Sequence, residues 1–141
     1  MLINHETKIL GIIGNPITQS LSPLMHNAVF DKLGLDCIYL PFEIPTGETE
    51  KALQAIRLLG FKGINVTIPF KEKVLNYLDE LSAEAKACQA VNCIKNDNDR
   101  LIGYNTDGKG FLAAIHEAGI HTAGQKAVMI GAGGAARSVA Y

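Results

Sequence analysis

The sequence predicts an α/β fold: a mostly parallel mixed sheet flanked by helices. Three observations predict it. Apolar runs of strand length alternate with amphipathic runs of helix length from Lys8 to Phe70, the grammar of a layered α/β sheet. Two short runs, Ala90 to Lys95 and Arg100 to Tyr104, are joined through Asn96-Asp97-Asn98-Asp99, a hairpin signal that adds one antiparallel member to the sheet. A last apolar run, Lys126 to Ile130, leads directly into Gly131-Ala132-Gly133-Gly134-Ala135-Ala136. That is a G-x-G-x-x-A match lying between strand and helix, where a dinucleotide fingerprint requires it. It marks the first strand-turn-helix unit of a Rossmann domain.

Taken in order, Lys8 to Ile13 reads as a buried strand ended by Gly14-Asn15-Pro16. Pro23 to Leu33 reads as a helix with Ser22 as its N-cap and proline at the first helical position. Cys37 to Phe42 is the next strand. Thr46 to Leu59 follows as a helix with Glu48 and Glu50 in its first turn, Leu53, Ile56 and Leu59 on one face, and Gly60 as its stop. The strand Gly63 to Ile68 precedes helices at Glu72 to Leu78 and Ser82 to Cys88, and then the hairpin. A helix starting at Thr106 or Asp107 carries Phe111, Leu112 and Ile115 on one face and ends at Gly119. The expected organisation is therefore one domain over residues 1–106, then a linker helix and the beginning of a nucleotide domain over 107–141.

Composition narrows the function classes. With 141 residues, 48% of them apolar, the chain can bury a core, and its formal net charge is −1. Neither nucleic acid nor an anionic membrane is expected as a partner, because no basic run appears; a small neutral or anionic metabolite is. Three cysteines without a C-x-x-C pair, and a start lacking a basic segment followed by an apolar one, read as a reduced, cytoplasmic protein. No apolar stretch approaches the roughly 20 residues of a membrane span. The four histidines form neither H-E-x-x-H nor a Cys/His group, so no metal site is expected.

Polar residues that punctuate apolar segments are the candidates for chemistry. Asn65 and Thr67 lie two apart in a strand and share a face, where packing or a polar ligand must satisfy them. Lys71 is either a solvated helix-start lysine or part of that site, and Asp107 is either an N-cap or first-turn acid or part of it. Beside a nucleotide the two would suit removal of a hydroxyl proton as hydride leaves the same carbon, and the residue types leave open which carries the proton. In Ser20-Leu21-Ser22-Pro23, Ser22 reads first as a cap, yet hydroxyls and amides there could also hold a carboxylate; capping leaves Ser20 unaccounted for. In the glycine turn, Gly131 permits the tight bend, Gly133 lets a pyrophosphate approach, and Ala136 allows close helix packing. Gly131, Ala132, Gly133, Gly134 and Ala135 are the cofactor-binding candidates. His26 reads as a packed helix residue, Asn15 as a turn residue, and Cys88 and Cys93 as buried small apolar groups.

Five segments in register resemble the shikimate dehydrogenase family: Gly14-Asn15-Pro16 with Ser20-Leu21-Ser22-Pro23, Asn65-Val66-Thr67-Ile68-Pro69-Phe70-Lys71, Ala90-Val91-Asn92, Asn105-Thr106-Asp107-Gly108, and the turn Gly131 to Arg137. The resemblance spans nearly the whole chain. It implies an NADP-linked oxidoreductase that interconverts 3-dehydroshikimate and shikimate on the route to chorismate and the aromatic amino acids. It also implies Ser20 and Ser22 on the substrate carboxylate, and Asn65, Thr67, Lys71, Asn92 and Asp107 around the ring hydroxyls, with Lys71 and Asp107 as the catalytic pair. A homodimer is one assembly consistent with this, though the residues do not specify the oligomeric state.

Two departures stand out. Gln89-Ala90-Val91-Asn92-Cys93 occupies the place of the family's Gly-Ala-Val-Asn-Thr, so a hydroxyl is exchanged for a thiol at Cys93. Only eight residues follow Gly133, too few for a crossover helix and a second parallel strand. The expectation is an N-terminal portion of a longer enzyme, or a chain whose tail another chain orders, with little or no dehydrogenase activity by itself. The rivals are an NAD-using quinate/shikimate dehydrogenase and, from another class, a non-catalytic shikimate-binding module. Retention of both Lys71 and Asp107 argues against the latter, since binding alone does not require the pair.

Overall fold

A computed structural model describes residues 2–141. Its elements are β1 (Lys8–Gly14), α1 (Ser22–Leu33), β2 (Cys37–Glu43), α2 (Thr49–Leu58), β3 (Gly63–Val66), a 3-10 turn (Lys73–Tyr77), β4 (Glu80–Leu81), α3 (Ala83–Cys88), β5 (Cys93–Asp97), β6 (Arg100–Tyr104), α4 (Asp107–Glu117) and α5 (Gly134–Ala140). The strands form one sheet in the order β2-β1-β3-β5-β6-β4. β1 pairs in parallel with β2 and β3, β4 in parallel with β6, and β5 antiparallel with both β3 and β6. The sheet is thus mostly parallel, with β5 alone reversed, as the hairpin signal predicts. Asp97 pairs with Arg100 across a two-residue turn whose Asn98 and Asp99 have φ of 50° and 67°. Asn and Asp tolerate that left-handed region better than most residues, and such turns match the twist of the strands they join.

Successive side chains of β1 enter opposite layers. Ile13 joins the larger core with Leu53 and Ile56 of α2, Ile64 and Val66 of β3, and Ile94 of β5. Ile12 faces the other way, with Ile17 and Tyr39, and Phe30 of α1 packs against them. Burying each such aliphatic side chain is worth roughly 1.5 to 3 kcal/mol, which makes the β1–β3 centre the rigid part of the scaffold.

Several expectations are corrected. Ser22 is not the N-cap of α1: Leu21 is, with helical backbone angles, and Ser22 is the first helical residue. The reason is local. The Ser20 hydroxyl accepts from the Ser22 N–H at 3.3 Å, and that small side-chain turn lets the helix begin one residue early. α2 starts at Thr49 rather than Thr46, and Leu59 falls on its exposed C-terminal side instead of the buried face. The segment after Lys71 is a tight 3-10 turn, not an α-helix. The apolar run 126–130 joins no ladder, and Val128 and Ile130 are 93% and 98% exposed. A strand needs a neighbour for its N–H and C=O groups, and none of the described residues provides one. The turn and helix after it do form. β4 carried no periodicity to read, being two residues long.

α4 follows β6 and packs on α5 closely enough that a Cβ on Gly108 would lie 2.2 Å from the Ser138 carbonyl oxygen. Only glycine permits that approach. The apolar face of α4 is half exposed: Phe111, Leu112 and Ile115 line a cavity of about 530 Å³ that also takes in Met129 and Val139. Among the described residues no helix is long and apolar enough to cross a membrane.

Candidate active site

β1 has β2 on one side and β3 on the other, so the order of connection reverses between β1 and β3. Ligands in open α/β sheets bind outside the carboxyl ends of the strands at such a reversal. Every polar candidate converges on that edge. Ser20 and Ser22 follow β1, Thr67 and Lys71 follow β3, and Asp107 follows β6. Asn92 precedes β5, whose reversed direction brings its start to the same edge.

At the centre, Lys71 Nζ lies 2.5 Å from Asp107 Oδ2, with the two side chains 17% and 26% exposed. They are half buried yet reachable. The other Asp107 oxygen accepts from Asn92 Nδ2 at 2.7 Å, and the same amide nitrogen donates to Thr106 Oγ1 at 2.8 Å. Asn92 Oδ1 accepts the Thr106 N–H at 2.9 Å, and Asn105 Oδ1 accepts the Asp107 N–H at 3.1 Å. Asp107 is therefore held at both carboxylate oxygens and at its backbone. The Val91 N–H donates to the Lys71 carbonyl at 2.8 Å, tying the Asn92 segment to the Lys71 segment.

Asn65 extends the network. Its Nδ2 donates to the Asn92 carbonyl at 3.1 Å and its Oδ1 accepts from the Tyr39 phenol at 2.7 Å, which leaves one N–H free to face the crevice. A continuous polar chain thus runs Tyr39, Asn65, Asn92, Asp107, Lys71. The Ser20 hydroxyl accepts the Ser22 N–H. Thr67 donates its N–H to Ile13 at 3.0 Å and rests its methyl over Gly14, where a Cβ would come within 2.6 Å.

Sequence reasoning missed Tyr39. It is the one residue with a polar tip in the apolar run Cys37 to Phe42, a signal that could have flagged it. The ring is 2% exposed, His26 stacks on it at 4.3 Å, and Asn27 bonds both its N–H and its carbonyl at 2.9 Å. Burial pushes its hydroxyl up to about 12 from an ordinary 10.0, so the phenol stays neutral and donates to Asn65. Because the unfolded tyrosine ionises first, the stability tied to this group is complete below pH 10 and is lost as pH rises toward 12. The Tyr39→Phe variant is expected to be about 1 kcal/mol less stable at neutral pH and to lose less stability than the parent between pH 10 and 12. Chemical denaturation at stepped pH checks both; equal alkaline losses would contradict the assignment.

Cys93, where a threonine was expected, is half buried opposite Asn65 and Tyr104, and burial pushes its thiol up. It fills space rather than acting as a nucleophile. Cys88 is buried, and neither cysteine is in a disulfide. Gln89, at the place of a family glycine, has φ of +49°, a left-handed conformation that glycine adopts at lower cost.

The glycine turn borders this site through α5. A Cβ on Gly134 would lie 3.5 Å from Lys71 Cβ and 3.0 Å from Ala90 Cβ. Gly131 has φ of +115°, Gly133 is extended and is the N-cap of α5, and space stands open at both Cβ positions. Gly131, Ala132 and Gly133 are exposed. A bare, open backbone turn at a helix start fits a pyrophosphate.

Comparison with known proteins identifies the family. Residues 12–94 match the family described as shikimate dehydrogenase substrate binding domain. All 141 residues align at 56% identity with a shikimate dehydrogenase (NADP(+)) of Syntrophomonas wolfei subsp. wolfei, covering 48% of that protein. Among solved structures, shikimate dehydrogenase 1 from Peptoclostridium difficile superposes with a TM-score of 0.92 at 40% identity, over 94% of this chain and 49% of that one. Shikimate 5-dehydrogenase from Listeria monocytogenes, in complex with shikimate and NAD, superposes with a TM-score of 0.89 at 44% identity, over 97% and 47%. The chain spans about half the length of the curated relatives it matches.

Proposed function

The chain belongs to the shikimate dehydrogenase family, and on that premise we propose that it carries the substrate site and catalytic pair of an NADP-linked enzyme interconverting shikimate and 3-dehydroshikimate. One observation carries the reading. Asp107 is gripped by Lys71 on one carboxylate oxygen and by Asn92 on the other, at the reversal point of the sheet and beside an open glycine turn.

The residues divide the work by chemistry. Ser20 and Ser22, at the start of α1, offer hydroxyls and the positive end of a 12-residue helix to the substrate carboxylate. The free N–H of Asn65, the Thr67 hydroxyl and the second lone pair of Asn92 Oδ1 are offered to the ring hydroxyls. The reacting hydroxyl sits against Lys71 Nζ and Asp107 Oδ2, which receive its proton as one unit. Holding both groups in place beforehand lowers the reorganisation needed at the moment of transfer. The turn Gly131, Ala132, Gly133, Gly134 and Ala135 would hold the NADP pyrophosphate, and the bound nucleotide supplies the hydride acceptor.

In this reading residues 1–106 form the substrate domain, and 107–141 form a linker helix with the beginning of the nucleotide domain. The same reading makes the protein a cytoplasmic biosynthetic enzyme, in keeping with its free cysteines, compatible with a homodimeric assembly, and with no nucleic acid partner, in keeping with a net charge of −1. The test is oxidation of shikimate by the native gene product, followed by reduced-nucleotide absorbance, with NADP and NAD and with quinate in parallel. Turnover of shikimate with NADP is expected to dominate. Saturable shikimate binding without turnover on either nucleotide would replace the enzyme with a binding module, and preferred turnover of quinate with NAD would reassign its substrate.

A further inference from the structure

The resemblance places Arg137 in the nucleotide turn, but its side chain turns away from the turn toward the substrate domain. Nε donates to the Cys88 carbonyl at 2.9 Å and Nη2 to the Gln89 carbonyl at 3.1 Å, and Nη2 also lies 2.9 Å from Glu72 Oε1. Cys88 ends α3, and Gln89 caps it in the left-handed conformation. The guanidinium therefore satisfies helix-end carbonyls that lack partners within the helix. The ion pair with Glu72 is half exposed and contributes little alone; the fork onto two carbonyls gives the contact its geometry.

The contacted residues are neighbours of the chemistry. Glu72 follows Lys71 directly, and Gln89 lies three residues before Asn92, the amide that grips Asp107. The two segments are joined by the Val91 N–H to Lys71 carbonyl bond. One turn back on α5, Gly134 packs closely on Lys71 and Ala90, where an added Cβ would lie 3.5 Å from Lys71 Cβ and 3.0 Å from Ala90 Cβ. One residue on, the buried Ser138 hydroxyl accepts from Asn105 at 2.6 Å, and Asn105 in turn holds the Asp107 backbone. Residues 134–138 of the helix that begins at the glycine loop thus contact residues at or near each of Lys71, Asn92 and Asp107.

We infer that Arg137 is a positioning residue: it locks the helix of the nucleotide turn onto the 71–72 and 88–92 segments and so sets the register between the catalytic pair and the carbon it serves. This rests on the function proposed above. It predicts a defect in turnover rather than in substrate affinity, because the substrate contacts themselves stay in place.

The experiment pairs kinetics with amide hydrogen exchange on the native gene product and its Arg137→Ala and Arg137→Lys variants. Arg137→Ala is expected to lower kcat about tenfold with KM for shikimate within about twofold. The Val91 amide should exchange about tenfold faster while β1 and β3 amides keep their protection. Arg137→Lys, which retains the charge without the fork, should fall between. Unchanged kcat, unchanged Val91 exchange, or a rise in KM equal to the fall in kcat would each overturn the assignment. If the parent protein turns over no shikimate, the functional reading fails, and the Val91 exchange arm alone then decides whether the lock exists.

Discussion

Replacing Lys71 with alanine in the native gene product is expected to lower kcat for shikimate oxidation by about a thousandfold, the mid-range of what a positioned acid or base contributes, while KM changes by no more than a few-fold. The asymmetry follows from the contacts. Among the described residues the ammonium meets one partner, Asp107 Oδ2, whereas in the proposed reading the substrate is also held by the serine hydroxyls and the asparagine side chains. Removing a group that acts mainly on the moving proton costs transition-state stabilisation and leaves ground-state binding largely intact. Steady-state kinetics with NADP check this; a change confined to KM would demote Lys71 to a binding residue.

Asp107→Ala is the companion prediction, with an expected fall in kcat of a few hundredfold to a thousandfold. The lost carboxylate is, among the described residues, the side-chain partner of Lys71 and the acceptor of one Asn92 N–H, so both groups lose their orientation. If the two residues work as one unit, the Lys71→Ala/Asp107→Ala double variant should lie within about threefold of the worse single variant, because removing half of a unit already removes its function. Multiplicative losses in the double variant would show two independent contributions and would break the pair assignment. Melting temperatures belong beside the kinetics, since the carboxylate also anchors the start of α4.

What the sequence made legible was whatever depends on neighbours in the chain. The alternation of β1, α1, β2, α2 and β3, the Asn98-Asp99 turn and the glycine-rich helix start each follow from periodicity or turn chemistry within a few residues. Asn65 and Lys71 were visible as polar interruptions of an apolar run, Asp107 as a helix-start acid and Asn92 through the family resemblance, and the structure brings them together at one sheet edge. Tyr39 was not visible as part of that site. Its hydroxyl crosses from β2 to β3, and only the sheet order, with β1 between them, brings the two within reach. Ser22 was read as a cap because its position and type allow it; the competing turn made by Ser20 shifts the helix by one residue. The strand expected at 126–130 shows the opposite limit, for apolarity can nominate a strand but only a neighbour can make one. Arg137 lies 48 residues from the Gln89 carbonyl it holds, a separation no local pattern encodes.

The central claim is that shikimate occupies the crevice where Lys71 and Asp107 meet. Titrating shikimate into the isotopically labelled native gene product, and following backbone and side-chain amide resonances, tests it most directly. Saturable shifts concentrated at Ser22, Asn65, Thr67, Lys71, Asn92 and Asp107, with the side-chain amides of Asn65 and Asn92 among the largest, are the predicted result. No saturable shifts at those residues, or shifts concentrated instead around the cavity between α4 and α5, would contradict it.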